Sequence, residues 1–118
     1  MRIHETAAVT GLTIDAIRYY ERQHLLDERH ITRQPNGYRV YTAAAIERLQ
    51  HLKHARAQGY TVAELRTLTT AYDAGRLDAN EQRAFLTGKI ARIARQIASL
   101  EEMRSTFERD LFQLRTAE

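Results

Sequence analysis

Between about Asn80 and Thr116 the apolar residues of this 118-residue chain return at alternating steps of four and three. Leu86, Ile90, Ile93, Ile97 and Leu100 are followed by Phe107, Leu111 and Leu114, and Arg104 stands in the one slot that interrupts the series. Such a repeat puts every member on one stripe of a single α-helix, on the order of 55 Å long at 1.5 Å per residue. A lone helix cannot hide a stripe of that length, and a seam past four heptads outreaches a head of about 70 residues. Self-association along these nine positions, Arg104 included, is therefore expected in preference to a helix folded back on its own domain. A polar residue at one seam position is a known device for fixing register.

The rest of the chain is enough for one small domain. With 43% hydrophobic residues and one proline, a core can be built. There is no cysteine, which excludes disulfides, thiolate metal sites and thiol redox switches within these residues. No apolar run approaches the roughly 18 residues of a membrane span, and the start "MRIHETAAV" lacks the apolar segment of a signal peptide. A soluble cytoplasmic protein with no membrane partner is expected. Residues 1–60 hold nine Lys and Arg against six Asp and Glu, whereas residues 61–118 hold nine against nine. The basic excess, and all five histidines, lie in the first half. A basic front on a charge-balanced back points to an anionic partner for the front.

Helix signals dominate that front. "ETAAVT" is a short apolar turn closed by Gly11, with Leu12 behind it, the usual left-handed helix end. Thr13 is then a good N-cap, with Asp15 in the first turn where the helix dipole favours acid. Two helices joined through a glycine-containing turn describe a helix-turn-helix. Next, "HITR" and "YRVY" alternate around "QPNG", a hairpin signal and the one strand indication in the chain. Thr42 caps a helix carrying Ile46, Leu49 and Leu52, ending near Gly59. "TVAE" is a capping box opening a helix with Val62, Leu65 and Leu68, and "YDAGRLDAN" breaks the pattern.

The short helix "TIDAIRYYER" carries two adjacent tyrosines. At about 100° per residue they cannot face the same way. Ile14, Ala16, Ile17 and Tyr20 fall on one side together with Glu21, where the Tyr20 hydroxyl is expected to meet Glu21 or a backbone group. Asp15, Arg18, Tyr19 and Arg22 fall on another arc. An arginine and a tyrosine exposed on the second helix of a helix-turn-helix suit DNA recognition, since Arg bonds guanine edges or phosphates bidentately and Tyr reaches phosphate or a thymine methyl. Arg33, Tyr38 and Arg39 around the hairpin tip add a basic ribbon beside that helix, the plan of a winged helix.

These residues resemble a known family. "TGLTIDAIRYYER", "LL", "NGYRVYT" and "AIERLQHLKHARAQGYTVAEL" follow one another as in the MerR-type transcriptional regulators, from Ile3 to about Tyr72. The fold expected is mainly α: a winged helix-turn-helix DNA-binding domain over residues 1–72 with a β-hairpin wing and a helical pair, a linker at 73–79, and a dimerisation helix over 80–118. The resemblance implies a homodimer whose terminal helices pair as an antiparallel coiled coil. It also implies double-stranded promoter DNA as partner, a pseudo-palindromic operator, control by distortion of that DNA, and RNA polymerase at the same promoter. Carried over by position, Thr13, Arg18 and Tyr19 are the recognition-helix contacts and Tyr38 and Arg39 the wing contacts, with Arg22, Arg33 and Asn36 as further DNA-binding candidates.

Many members of that family sense metals, redox stress or aldehydes through cysteines, and drug sensors append an effector domain. This sequence has neither, so any small-molecule effector is expected at the dimer interface. His51 and His54, three residues apart on one helix face, find no third ligand at suitable spacing and are expected to be solvated or near DNA; no metal or cofactor is expected. Two other regulators of DNA fit part of the pattern: an excisionase-like architectural protein, which typically lacks the long helix, and a ligand-independent heat-shock-type repressor. No paired carboxylates, nucleophile with a base, or phosphate-cradling glycine loop is present, so an enzyme is not expected.

Overall fold

Glycine ends the first helix because only a left-handed residue fits there. Helix α1 (Ile3–Thr10) stops at Gly11, whose φ is 75° and whose amide donates to the Ala7 carbonyl at 2.9 Å. A Cβ on Gly11 would lie 2.6 Å from Lys53 Nζ, and that ammonium donates to the Thr10 carbonyl at 3.0 Å. Helix α2 (Ile14–Arg22) starts from Thr13, whose Oγ1 accepts the Ala16 amide at 3.0 Å. It ends in a Schellman turn: the Leu25 amide donates to the Tyr20 carbonyl at 3.1 Å, and His24 takes the left-handed place with φ 61°.

The hairpin pairs β1 (Ile31–Arg33) with β2 (Arg39–Tyr41) antiparallel, in the register Ile31 to Tyr41, Thr32 to Val40 and Arg33 to Arg39. Asn36 turns the tip by accepting the Tyr38 amide on Oδ1 at 3.1 Å, and Gly37 takes φ 85°. Helix α3 (Ala43–Ala57) is capped by Thr42, and α4 (Val62–Asp73) opens with the Thr61–Glu64 capping box expected from "TVAE". Tyr72 and Asp73 belong to α4 rather than to the break. The helix closes at Gly75, φ 70°, where the Arg76 amide donates to the Ala71 carbonyl at 2.8 Å.

The computed structural model describes residues 1–117, which divide into two units, one spanning Met1–Arg76 and one beginning at Leu77. In the first, Ile17, Tyr20, Leu25, Leu26, Tyr41, Ala45, Leu49, Leu52 and Leu65 form the core. Each large aliphatic side chain buried there contributes roughly 1.5–3 kcal/mol. Thr6 and Thr10 are buried with them and stay satisfied, their hydroxyls donating to the Arg2 carbonyl at 2.9 Å and the Thr6 carbonyl at 2.7 Å. The second unit is a single helix, α5 (Ala79–Ala117), whose first turn is capped by Asp78 Oδ1 accepting the Glu81 amide at 2.8 Å. The molecule is thus mainly α, with one two-stranded wing on a helix-turn-helix head and a long C-terminal helix.

Candidate nucleic-acid interface

Helix α2 separates its two tyrosines as the wheel requires. Ile17 and Tyr20 are 0% and 7% exposed, while Tyr19 is 41% exposed and stands among exposed Arg18, Arg22 and Asp15. The Arg22 guanidinium lies 6.0 Å from the centre of the Tyr19 ring, close enough for a cation–π attraction that steadies both. Thr13 is exposed at the start of the helix, where its hydroxyl oxygen accepts the cap bond.

The hydroxyl that meets Glu21 is that of Tyr41, which donates to Oε2 at 3.3 Å. Burial, with the nearby Glu21 charge, pushes the Tyr41 phenol above its ordinary pKa. The second carboxylate oxygen of Glu21 pairs with Arg39 of the wing, so Arg39 is ion-paired to the recognition helix. Arg18, Glu21, Arg22 and Arg39 line a shallow cleft of about 320 Å³ between α2 and β2. A neighbouring cleft of about 350 Å³ is bounded by Arg2, His4, Arg18, Tyr38 and Arg39. Arg2 places its guanidinium 4.1 Å from the centre of the exposed Tyr38 ring. Sequence reasoning overlooked Arg2 and His4, although a basic residue opening a helix beside a basic wing was the available signal. Arg33 and Asn36 are exposed on the hairpin, Arg33 directly across the ladder from Arg39, and the Asn36 side-chain oxygen is spent on its turn.

A cation-rich face on a helix-turn-helix and its wing is a form by which proteins hold DNA. The family models decide which proteins. Residues 1–72 match the model of the MerR HTH family regulatory proteins, and residues 46–109 match that described as MerR, DNA binding. The chain belongs to the MerR family.

This MerR-family chain is 38% identical over 104 residues to the HTH-type transcriptional regulator CueR of Yersinia pestis, covering 88% of the chain and 73% of the relative. It is 30% identical over 109 residues to ZntR of Escherichia coli K12, covering 92% and 76%. Among solved structures it resembles the transcription regulator PbrR691 of Ralstonia metallidurans CH34, crystallised with lead(II), at TM-score 0.81 and 29% identity over 98% of this chain and 85% of that one. The relatives are transcriptional regulators, not enzymes, and the chain is a DNA-binding transcriptional regulator. The second model match runs well into α5, which the excisionase-like reading leaves unexplained.

In the regulator's second unit, Leu86, Ile90, Ile93, Ile97, Leu100, Phe107, Leu111 and Leu114 are all exposed, and so are Met103 and Phe112. Arg104 reaches along the helix to Glu108 at 3.3 Å. Met103 adds an apolar side chain beside the polar seam position. His51 and His54 are both exposed, and His51 borders a cleft of about 180 Å³ with Arg29, His30, Arg48 and Asp73. Among the described residues no group of three His, Cys, Asp or Glu could hold a metal ion, and no helix is long and apolar enough to cross a membrane.

Proposed function

We propose that this MerR-family regulator binds a pseudo-palindromic promoter operator as a cytoplasmic homodimer and controls transcription by distorting the DNA between promoter elements for RNA polymerase. The exposed trio of Arg18, Tyr19 and Arg22, on a helix anchored by Ile17 and Tyr20, carries the reading. In it α2 enters the major groove, Arg18 bonds a base edge or phosphate, and Tyr19 and Thr13 reach the backbone. Tyr38 and Arg33 of the wing lie along the flanking phosphates. The exposed apolar stripe of α5 supports pairing of two copies, because solvent-exposed apolar residues in so long a row mark an interface. A small-molecule effector would be read between the paired helices. The 118 residues hold no cysteine, so they supply no thiolate ligand to such an effector. In this reading the regulator acts on its DNA by binding and deformation.

Arg18→Ala tests the reading. A gel-shift with the regulator's own upstream DNA should show affinity reduced by at least roughly thirtyfold, because a homodimer loses one bidentate base contact in each protomer. Unchanged affinity would remove Arg18 from the interface.

A further inference from the structure

Glu21 is an anion set in the middle of a cation-rich surface. Its side chain is 15% exposed, and three guanidiniums, those of Arg18, Arg22 and Arg39, share the cleft it lines. Both carboxylate oxygens are engaged, one by Arg39 of strand β2 and the other by the Tyr41 hydroxyl. The wing and the recognition helix are therefore joined at one side chain. The arrangement has two consequences for a nucleic-acid partner. It removes a positive charge from the sequence-independent attraction to phosphates, which supplies essentially all of non-specific affinity. It also holds the wing at one position relative to α2, which matters to base reading and little to a uniform phosphate lattice. Specificity is a difference between two affinities, and a group that weakens the wrong one raises it.

We propose that Glu21 is a specificity-determining residue of the DNA-binding head: it withholds Arg39 from the phosphate backbone and keys the wing to the recognition helix. This rests on the Arg18 face being the DNA face.

The test compares the full chain with Glu21→Gln, Arg39→Ala, the double variant and Arg18→Ala, on the upstream duplex and on a scrambled duplex of equal length, across salt concentrations. Glu21→Gln should bind the scrambled duplex more tightly, with a log–log salt slope steeper by about 0.9 per protomer. For a dimer, that slope change makes the gain in non-specific affinity roughly tenfold larger at 50 mM than at 200 mM salt, and the ratio of specific to non-specific affinity falls with it. In the Arg39→Ala background the same change should move neither slope nor ratio. An unchanged slope and unchanged non-specific affinity in Glu21→Gln, with Arg18→Ala still losing the operator, would overturn the role of Glu21 and leave the DNA face standing. Arg18→Ala binding the upstream duplex as the parent chain does would overturn the DNA face itself. Should Glu21→Gln melt below the assay temperature, Glu21→Asp gives the same readout, expected in the same direction and smaller.

Discussion

His30 is a buried histidine, and its burial disfavours the charged ring. The Asp27 amide donates to Nδ1 at 2.8 Å, a bond that the neutral ring with its proton on Nε2 accepts. Burial pulls the pKa down, and the charges of Arg48 and Arg29 add to it; the Asp27 and Asp73 carboxylates oppose without prevailing. A histidine whose folded pKa lies below its ordinary value of 6.5 takes up protons more readily when unfolded. Its contribution is complete above 6.5 and is lost as pH falls from there toward the folded pKa. Thermal melts taken from about pH 7.5 down to about 5.5 should therefore show a falling Tm, with a shallower fall in His30→Gln. Equal slopes for the two proteins would show that His30 is not the titrating group.

At the next size up, α4 is tied to the head through its last residue. The Asp73 carboxylate bonds Arg48 of α3 at 2.6 Å and Arg29, in the loop before β1, at 2.9 Å. Partial burial pushes the Asp73 carboxyl up, yet the hydrogen bonds and charges of Arg48 and Arg29 outweigh it and hold the pKa below the usual range. Arg29 also brings Asp27 down to about 2, chiefly through its side-chain hydrogen bond. Arg48 is only 12% exposed and gives a further bond to the Leu25 carbonyl at 3.2 Å. Removing its counter-ion leaves a largely buried charge half-satisfied. Asp73→Ala should lower the stability of the head by about 1–2 kcal/mol, after discount for the exposed Arg29. Urea unfolding measures this, and an unchanged midpoint would mean that the pair adds nothing.

For the whole regulator, the proposed dimer rests on α5. Leucine, isoleucine and phenylalanine side chains along it stand in water in the single chain, and pairing removes them from it at roughly 1.5–3 kcal/mol each when fully covered. Ile97→Glu puts a carboxylate in the middle of that stripe. We expect the dimer to weaken by at least about 3 kcal/mol, roughly a hundredfold in dissociation constant, with operator affinity falling alongside. Light scattering at micromolar concentration would show a dimer for the parent chain and a shift toward monomer for the variant. A parent chain that is monomeric would end the proposal of paired helices.

What the sequence determined alone is what acts within about four residues along the chain. Thr13, Thr42 and the Thr61–Glu64 box cap their helices by reaching amides three positions on, so they were readable, as was the division between Tyr19 and Tyr20. Helix ends were readable less well: α4 runs through Asp73 because Gly75, and not the first polar residue, supplies the left-handed turn. Tertiary structure decided the partners. Tyr41 and Glu21 are 20 residues apart, Arg48 and Asp73 are 25 apart, and Lys53 reaches Thr10 across 43. No local rule selects among a chain's carboxylates when all attract an arginine by the same law; only the packed path of the backbone brings one of them near. That is why Arg39 read as a free wing cation in the linear sequence and is an ion-paired one in the fold.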